Sequence, residues 1–576
     1  MPTLRSSARR HAVVVACLVT LTSPRPTRAM QQPSPDPTLA PAPAPVAALA
    51  IVNARVWTGD PRRPWADAVL VRGERIVVVG SSAEVKKRAG AAKVVDAKGM
   101  MVTPGFVDAH VHFLDGGFAL ASVQLRDART KAEFIARIRA FAETVPANTW
   151  ILNGDWDHTS WGGELPERAW IDSVTPNHPV WINRLDGHMN LANSIALTRA
   201  GVTRDTKDVS GGEIVRDRSG EPTGVLKDNA MDLMSGTVPA PSLAMSLLAL
   251  DSAMRYVAER GVTSVHHMGG WNDLAVFERA HAQGALRTRI SAAVPLSTWG
   301  RLRDTVAARG RGDAWLRIGA LKGFVDGSLG SHTAAMLEPF TDAPSDRGLL
   351  VNTLEDLYEW TSGADAARLQ VMVHAIGDRA IRSQLDIFAR VIRENPPYDR
   401  RFRIEHAQHI APADHARFRS LGVIASMQPY HAIDDGRWAT KVIGEERAKG
   451  TYAFRSLLEH GAALAFGSDW FVAPPTPLVA IYAAVTRRTL DDATPGGWVP
   501  EQKITVEQAL RAHTSGSARA GFSEQDVGTL ATGMLADLAL IDRDLTRAAP
   551  ESIRDARVML TMVGGRVIFD REGLAH

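Results

Sequence analysis

Eight short apolar runs, separated by stretches with helical patterning, constrain this chain most. They are Met101 to His112, Val262 to His267, Arg289 to Val294, Ile318 to Phe324, Gln370 to His374, Phe402 to His406, Val423 to Met427 and Ala463 to Phe466. Between them, segments such as Leu243 to Glu259 place Leu247, Leu250, Met254 and Val257 at helical spacing. Strands that alternate with helices form a parallel sheet, and eight of them predict an α/β fold of the (β/α)8 TIM-like barrel type. Such a barrel carries its functional groups at the C-terminal ends of its strands.

Two parts of the chain exceed a bare barrel. The gap after the first run, about residues 114–240, is far longer than a crossover needs and predicts an inserted lid. It holds an amphipathic helix over Lys131 to Val145 (Phe134, Ile138, Phe141, Val145), followed by Trp156, Trp161, Trp170 and Trp181 in loops and short strands. At the ends, Ile51 to Trp57, Asp67 to Val71, Arg75 to Val79, Val94 to Asp96, Ala536 to Asp542 and Val558 to Val567 read as short strands. They predict a small β-sandwich built from both termini, 49–101 with 527–576, around a barrel domain at 102–526.

Residues 1–29 read as an export signal: a basic start with Arg5, Arg9 and Arg10, an apolar run from Ala12 to Leu21, and Thr27-Arg28-Ala29 as a cleavage site. The expected destination is the periplasm or the exterior, with no stable membrane span after cleavage, a retained anchor or a lipoprotein at Val14-Val15-Ala16-Cys17 being the rival readings; Arg9-Arg10 leaves twin-arginine export open beside the general route. The Pro/Ala-rich stretch 30–48 predicts an extended, non-packing linker. The leader also explains the charge. The formal value of +3 falls to −2 once its five arginines are set aside, so nothing calls for a nucleic-acid partner. Cys17, the one cysteine, lies in the leader. The rest of the chain therefore has no disulfide, thiolate ligand or cysteine nucleophile, and a transition metal must rest on His or carboxylate.

The first run ends in His110-Val111-His112. In a strand, i and i+2 share a face with Cα atoms about 6 to 7 Å apart, close enough for both rings to meet one ion at metal–nitrogen bonds near 2.1 Å. In a chain with 18 His, an accidental pair is the ordinary alternative. Further polar residues sit where a barrel places chemistry: Lys322 in the fourth run, His374 ending the fifth, His406 ending the sixth, and Asp469 after the eighth. Singly they read as capped core histidines, a snorkelling lysine and a helix cap. One barrel makes all six converge.

With these residues in place, the sequence resembles the amidohydrolase superfamily, in its amidohydrolase-3 branch of YtcJ-like enzymes and N-substituted formamide deformylases. The resemblance rests on Pro104 to His112, Ser264-Val265-His266, Leu321 to Ser328, Val373 to Asp378, Arg403 to Gln408, Gly467-Ser468-Asp469 and Gly528 to Leu538, with Asp186-Gly187-His188 and Asn190 to Ser194 in the insertion. It spans nearly all of the chain after the leader. It implies that His110, His112 and Asp469 bind one divalent ion and His374 and His406 a second, zinc being the first expectation and manganese, iron or cobalt also compatible. Lys322, carboxylated by CO2 to a carbamate, would bridge the two; left unmodified, it would pair with an acid beside a single ion.

The implied chemistry is hydrolysis of a small-molecule amide, N-acyl or N-formyl bond by metal-activated hydroxide, with Asp469 as acid and base. His188 would bind the carbonyl oxygen or the substrate tail, or merely cap its loop. Asp326, Ser328 and His332 follow Lys322 in a Gly-rich loop and divide between substrate contact and turn chemistry, as do Gln428, Tyr430 and His431 after the seventh strand. Glu405 should face away from its neighbour His406, as packing or as support to a ligand. Trp156 and the other insertion tryptophans offer either an apolar pocket wall or plain packing. A lactonase or ester hydrolase on the same barrel, and a non-catalytic binding barrel, are the competing readings; a homo-oligomer is compatible with all of them. Gly327-Ser328-Leu329-Gly330 does not form a nucleophile elbow, and no Walker loop or His-Glu-x-x-His occurs.

Overall fold

Eight parallel strands pair in sequence order in a computed structural model that describes residues 37–575. They are β1 (Phe106–Val111), β2 (Val262–Met268), β3 (Arg289–Pro295), β4 (Leu316–Phe324), β5 (Gln370–Ala375), β6 (Arg403–His406), β7 (Ile424–Met427) and β8 (Ala463–Phe466). Residues just beyond β8 close the ring onto β1: Val111 bridges Trp470, the Asp469 amide donates to His110 O at 2.7 Å, and the His112 amide donates to Trp470 O at 2.6 Å. The closure therefore passes through the residues that were singled out for chemistry. The predicted leader lies outside the described residues.

The first predicted run is two strands. Met101–Pro104 leaves the barrel and joins a six-stranded sheet, pairing with Arg55–Trp57 on one side and Leu538–Ile541 on the other. The break falls at Gly105, where a Cβ would stand 2.2 Å from Thr263 Cγ2, so only glycine passes beneath β2 at this point. That sheet also holds Trp65–Ala66, Val558–Val563 and Arg566–Asp570, and so unites both ends of the chain as expected. A four-stranded sheet of Arg75–Gly80, Ala68–Arg72, Ala48–Val52 and Lys93–Asp96 accompanies it, with Val56, Val69, Ile76, Leu538 and Leu560 among the buried residues of their shared core.

The Pro/Ala-rich stretch is extended but not free of contacts. The Leu39 amide donates to Gln283 Oε1 at 3.0 Å, Ala42 to Gly284 O at 3.0 Å and Val46 to Gly565 O at 2.8 Å. Extended backbone leaves its N–H groups unspent, and here they bind the loop after a barrel helix and the terminal sheet. The non-packing expectation is thereby corrected for residues 39–46.

The insertion is a subdomain with its own core. Strands Gly212–Arg216, Pro222–Asp228, Met189–Ala192, Val180–Asn183 and Ile151–Leu152 pair in that order. The helix Lys131–Ala142, capped by the Thr130 side chain accepting from the Glu133 amide, buries Phe134 and Ile138 against Ile151, Trp156 and Ile182. No helix among the described residues is long and apolar enough to cross a membrane.

Candidate metal centre

His110, His112, Lys322, His374, His406 and Asp469 meet at the mouth of the barrel, carried there by β1, β4, β5, β6 and the turn after β8. Ring centroids lie 5.7 Å apart for His110 and His112, 4.7 Å for His110 and His406, and 4.6 Å for His374 and His406. Asp469 Oδ1 stands 3.3 Å from both His110 Nε2 and His112 Nε2, and Lys322 Nζ is 3.3 Å from His110 Nε2. His110, His374, His406, Lys322 and Asp469 are all buried.

Three of the rings are oriented by a partner that can only accept. His110 Nδ1 donates to Glu405 Oε2 (2.5 Å), His374 Nε2 to Gly327 O (3.0 Å) and His406 Nδ1 to Gln428 Oε1 (3.0 Å). Each therefore keeps one lone-pair nitrogen, Nε2 on His110 and His406 and Nδ1 on His374. Burial, with neighbouring Lys322 and the other imidazoles, pushes all three well below the ordinary histidine range and keeps them neutral. Asp469 brings a buried carboxylate into their midst. Its Oδ1 is buried without a hydrogen-bond partner. Lone-pair nitrogens gathered around an orphaned carboxylate oxygen fit a divalent cation, and ligand atoms of His110, His406 and Asp469 all lie within 4.8 Å of one another.

The turn that delivers Asp469 is locked to β1. Asp108, buried beneath it, accepts from the Ser468 amide at 2.8 Å and the His110 amide at 3.3 Å, while a Cβ on Gly467 would lie 2.5 Å from His110 N and 2.8 Å from Asp108 Oδ1. Neither neighbour can yield without moving a ligand. Gly467→Ala is expected to lower turnover by about 100-fold at unchanged secondary structure, the scale for a roughly 1 Å misplacement of a reacting group. Steady-state kinetics beside circular dichroism check it, and turnover within threefold of the parent would refute the clash.

Glu405 departs from simple alternation. Both it and His406 reach the barrel interior, because the chain leaves strand geometry at His406 (φ 69°) and Ala407 (φ 44°). Glu405 is gripped by Arg403, whose Nε donates to Oε1 at 2.7 Å and whose Nη2 donates to Oε2 at 3.0 Å. Arg403 also donates to Ala109 O (2.6 Å) and Ser426 Oγ (2.9 Å) and meets His266 Nδ1 (2.9 Å). Glu405 thus takes the ligand-supporting role of the two expected for it, while its partner His110 and its grip by Arg403 are not readable from residue spacing.

A cavity of about 280 Å³ opens over the cluster and is lined by His112, Lys322, His374, His406, Asp469 and, from the insertion, His188. The His188 ring lies 4.9 Å from that of His374, and its Nδ1 is 2.7 Å from Asp228 Oδ1. Burial opposes its protonation, but the Asp228 and Asp186 carboxylates raise it above the ordinary histidine value. Within the insertion, the Arg184 guanidinium meets Asp186 at 2.6 Å and Asp157 at 3.1 Å, and it faces the loop after β4. A Cβ on Gly330 would stand 2.6 Å from that guanidinium. Ser328 donates to Asp186 from the loop after β4.

Three expected substrate contacts lie elsewhere. Trp156 is fully buried in the insertion core with Nε1 donating to Ile182 O at 2.9 Å, because an indole with a satisfied N–H is worth more as packing there. Asp326 sits behind His374, accepting from the amides of Ile376 (3.0 Å), Gly377 (2.8 Å) and Ala335 (2.8 Å); it shapes loops and does not line the cavity. Tyr430 is half-buried and outside the cavity lining, where its neighbour His431 takes the place, since Pro429 starts a helix that turns them apart. His332 pairs with Asp342 at 3.1 Å, also away from the cavity. Asp115, Gln408, Asp434 and Asp435 line it without having been foreseen.

Comparison with known proteins agrees with this geometry. The amidohydrolase family model matches residues 93–569. The chain is 41% identical over 540 residues, covering 91% of it and 92% of the relative, to protein LONG AFTER FAR-RED 3 of Arabidopsis thaliana. It is 29% identical to N-substituted formamide deformylase of Arthrobacter pascens, covering 91% of this chain and 99% of the relative. A solved structure of an uncharacterized metal-dependent hydrolase from Pyrococcus horikoshii aligns with a TM-score of 0.71 at 27% identity, over 88% of this chain and 99% of the other. A barrel closed through its own candidate ligands, and a family match that covers the whole barrel and runs on into the last terminal strand, make this chain a member of the amidohydrolase family and a metal-dependent hydrolase.

Proposed function

We propose that the chain hydrolyses a non-peptide carbon–nitrogen bond of a small molecule: an amide, N-acyl or N-formyl group. The observation that carries this reading is the ring of six inward groups that includes Asp469, whose Oδ1 is buried without a hydrogen-bond partner. Imidazole and carboxylate donors suit zinc, and we assign one or two ions, with His110, His112 and Asp469 holding the first and His374 and His406 the second. A divalent cation bound there supplies Lewis acidity to the carbonyl and to the water that attacks it. Asp469 takes the proton from that water and delivers it to the nitrogen, which needs it to depart. His188, fixed through Nδ1 by Asp228, turns its other nitrogen to the cavity and orients the carbonyl oxygen or the substrate tail.

Burial pushes the Lys322 ammonium down to about 8. The neutral amine is the form that adds CO2 to give a carbamate and release a proton, so we assign that modification to Lys322, where it would add an anionic oxygen donor to the metal site. The Arthrobacter relative, an N-substituted formamide deformylase, favours carbon–nitrogen bonds over esters for this chain. By sequence alone, residues 1–29 are assigned to export.

The test is metal content of the purified chain together with amine release from a panel of formamides and acyl amides. Expected are bound divalent metal, release of amine from at least one member, loss of turnover on chelation and recovery with zinc. Turnover of lactones with none of amides would move the reading to an ester hydrolase, and undiminished amide turnover in metal-free protein would end it.

A further inference from the structure

The ligand cluster opens onto two chambers. Each has a volume of about 280 Å³, and they share His112, Asp115, Lys322 and Phe324. The first, over β5 to β8 and under the insertion, is walled by charge: Asp157, Arg184, Asp186, Asp434 and Asp435. The second lies over the ends of β2, β3 and β4, and beyond the shared residues no charged group lines it. Its apolar walls are Met268, Pro295, Leu296 and Trp360, joined by one face of Phe324. Asn352 spends its amide on Phe324 O at 3.0 Å. Gly323 lets Leu296 lie against β4, since a Cβ there would come 2.8 Å from Leu296 Cδ2.

We propose that this second chamber binds a compact apolar group, aryl or branched alkyl, attached next to the scissile bond, while the charged chamber takes the polar remainder of the substrate. The inference rests on the amide-hydrolase reading for the position of the scissile bond. Adjacency follows from His112 and Lys322, which belong to the ligand cluster and to the chamber wall at once, so the chamber opens directly beside the reacting centre. Compactness follows from volume, since ligand pockets commonly start near 300 Å³. Apolar character follows from the walls. A polar substituent would lose its water there and find few partners.

The test compares N-methylformamide, N-phenethylformamide and N-methylphenylacetamide on the full chain, on Trp360→Ala and on Ser297→Trp, which fills the chamber from its exposed rim. One aryl probe carries the ring on the amine side and the other on the acyl side, so the preferred one tells which half of the substrate enters. Expected is a preference of about 10-fold or more in kcat/KM for an aryl probe over N-methylformamide, falling to near parity in both variants. The same ratio is read in equilibrium binding by calorimetry, which needs no turnover. Aryl-selective binding without any turnover would remove the hydrolase reading and leave the chamber's role standing. Equal affinity for the aryl and methyl probes, or a preference that survives both variants, would overturn the proposal.

Discussion

Asp469→Asn is expected to lower kcat on the best amide substrate by about 1,000-fold, the middle of the range for losing a positioned acid and base. Asparagine keeps the shape and the oxygen that faces His110 and His112, so the barrel should fold and its circular dichroism should match the parent. What it cannot do is accept a proton from water or return one to nitrogen. Metal analysis of the same sample separates the two duties assigned to this residue. Lost turnover with retained metal marks the proton carrier; lost turnover in step with lost metal marks the ligand. A variant within tenfold of the parent would remove Asp469 from the reaction.

Arg403→Met should produce the largest loss of stability, about 3–5 kcal/mol, the scale for breaking a buried ion pair from one side. Methionine approximates the stem of arginine, so little of the loss would be cavity. The cost arises because Glu405, fully buried, would keep only its contact with His110. Guanidinium unfolding measures it as a lower midpoint at unchanged slope. Adding Glu405→Gln to that variant should recover part of the loss, because no uncompensated charge then remains in the interior. A change below about 1 kcal/mol in the single variant would mean that solvent reaches the pair and screens it.

Much of this molecule is written locally. The eight strands follow from apolar runs bounded by glycine and polar residues, and seven of them lie within two residues of where periodicity puts them. The exception is the first, because nothing local distinguishes Met101–Pro104 from Phe106–Val111; the partner sheets do, and Leu538–Ile541 comes from the far end of the chain. Candidate ligands were legible for a similar reason. A barrel converts position at a strand's end into convergence on one point, so His110, His112, Lys322, His374, His406 and Asp469 needed only their strands to be recognised.

What lay outside reach was everything that depends on which distant side chains face one another. His110 and Glu405 are separated by 295 positions and meet at 2.5 Å. Asp326, Trp156 and Tyr430 carry the chemistry of substrate contacts, but three amides, a packed core and a helix start take them out of the cavity. The sequence by itself determined the barrel and the donor types at its mouth, because strand periodicity and residue chemistry are local properties. Only the tertiary structure decided how each imidazole is anchored, which residues wall the two chambers, and how Arg403 steadies the whole from below. Burial and pairing are set by neighbours that the chain brings together only when it folds.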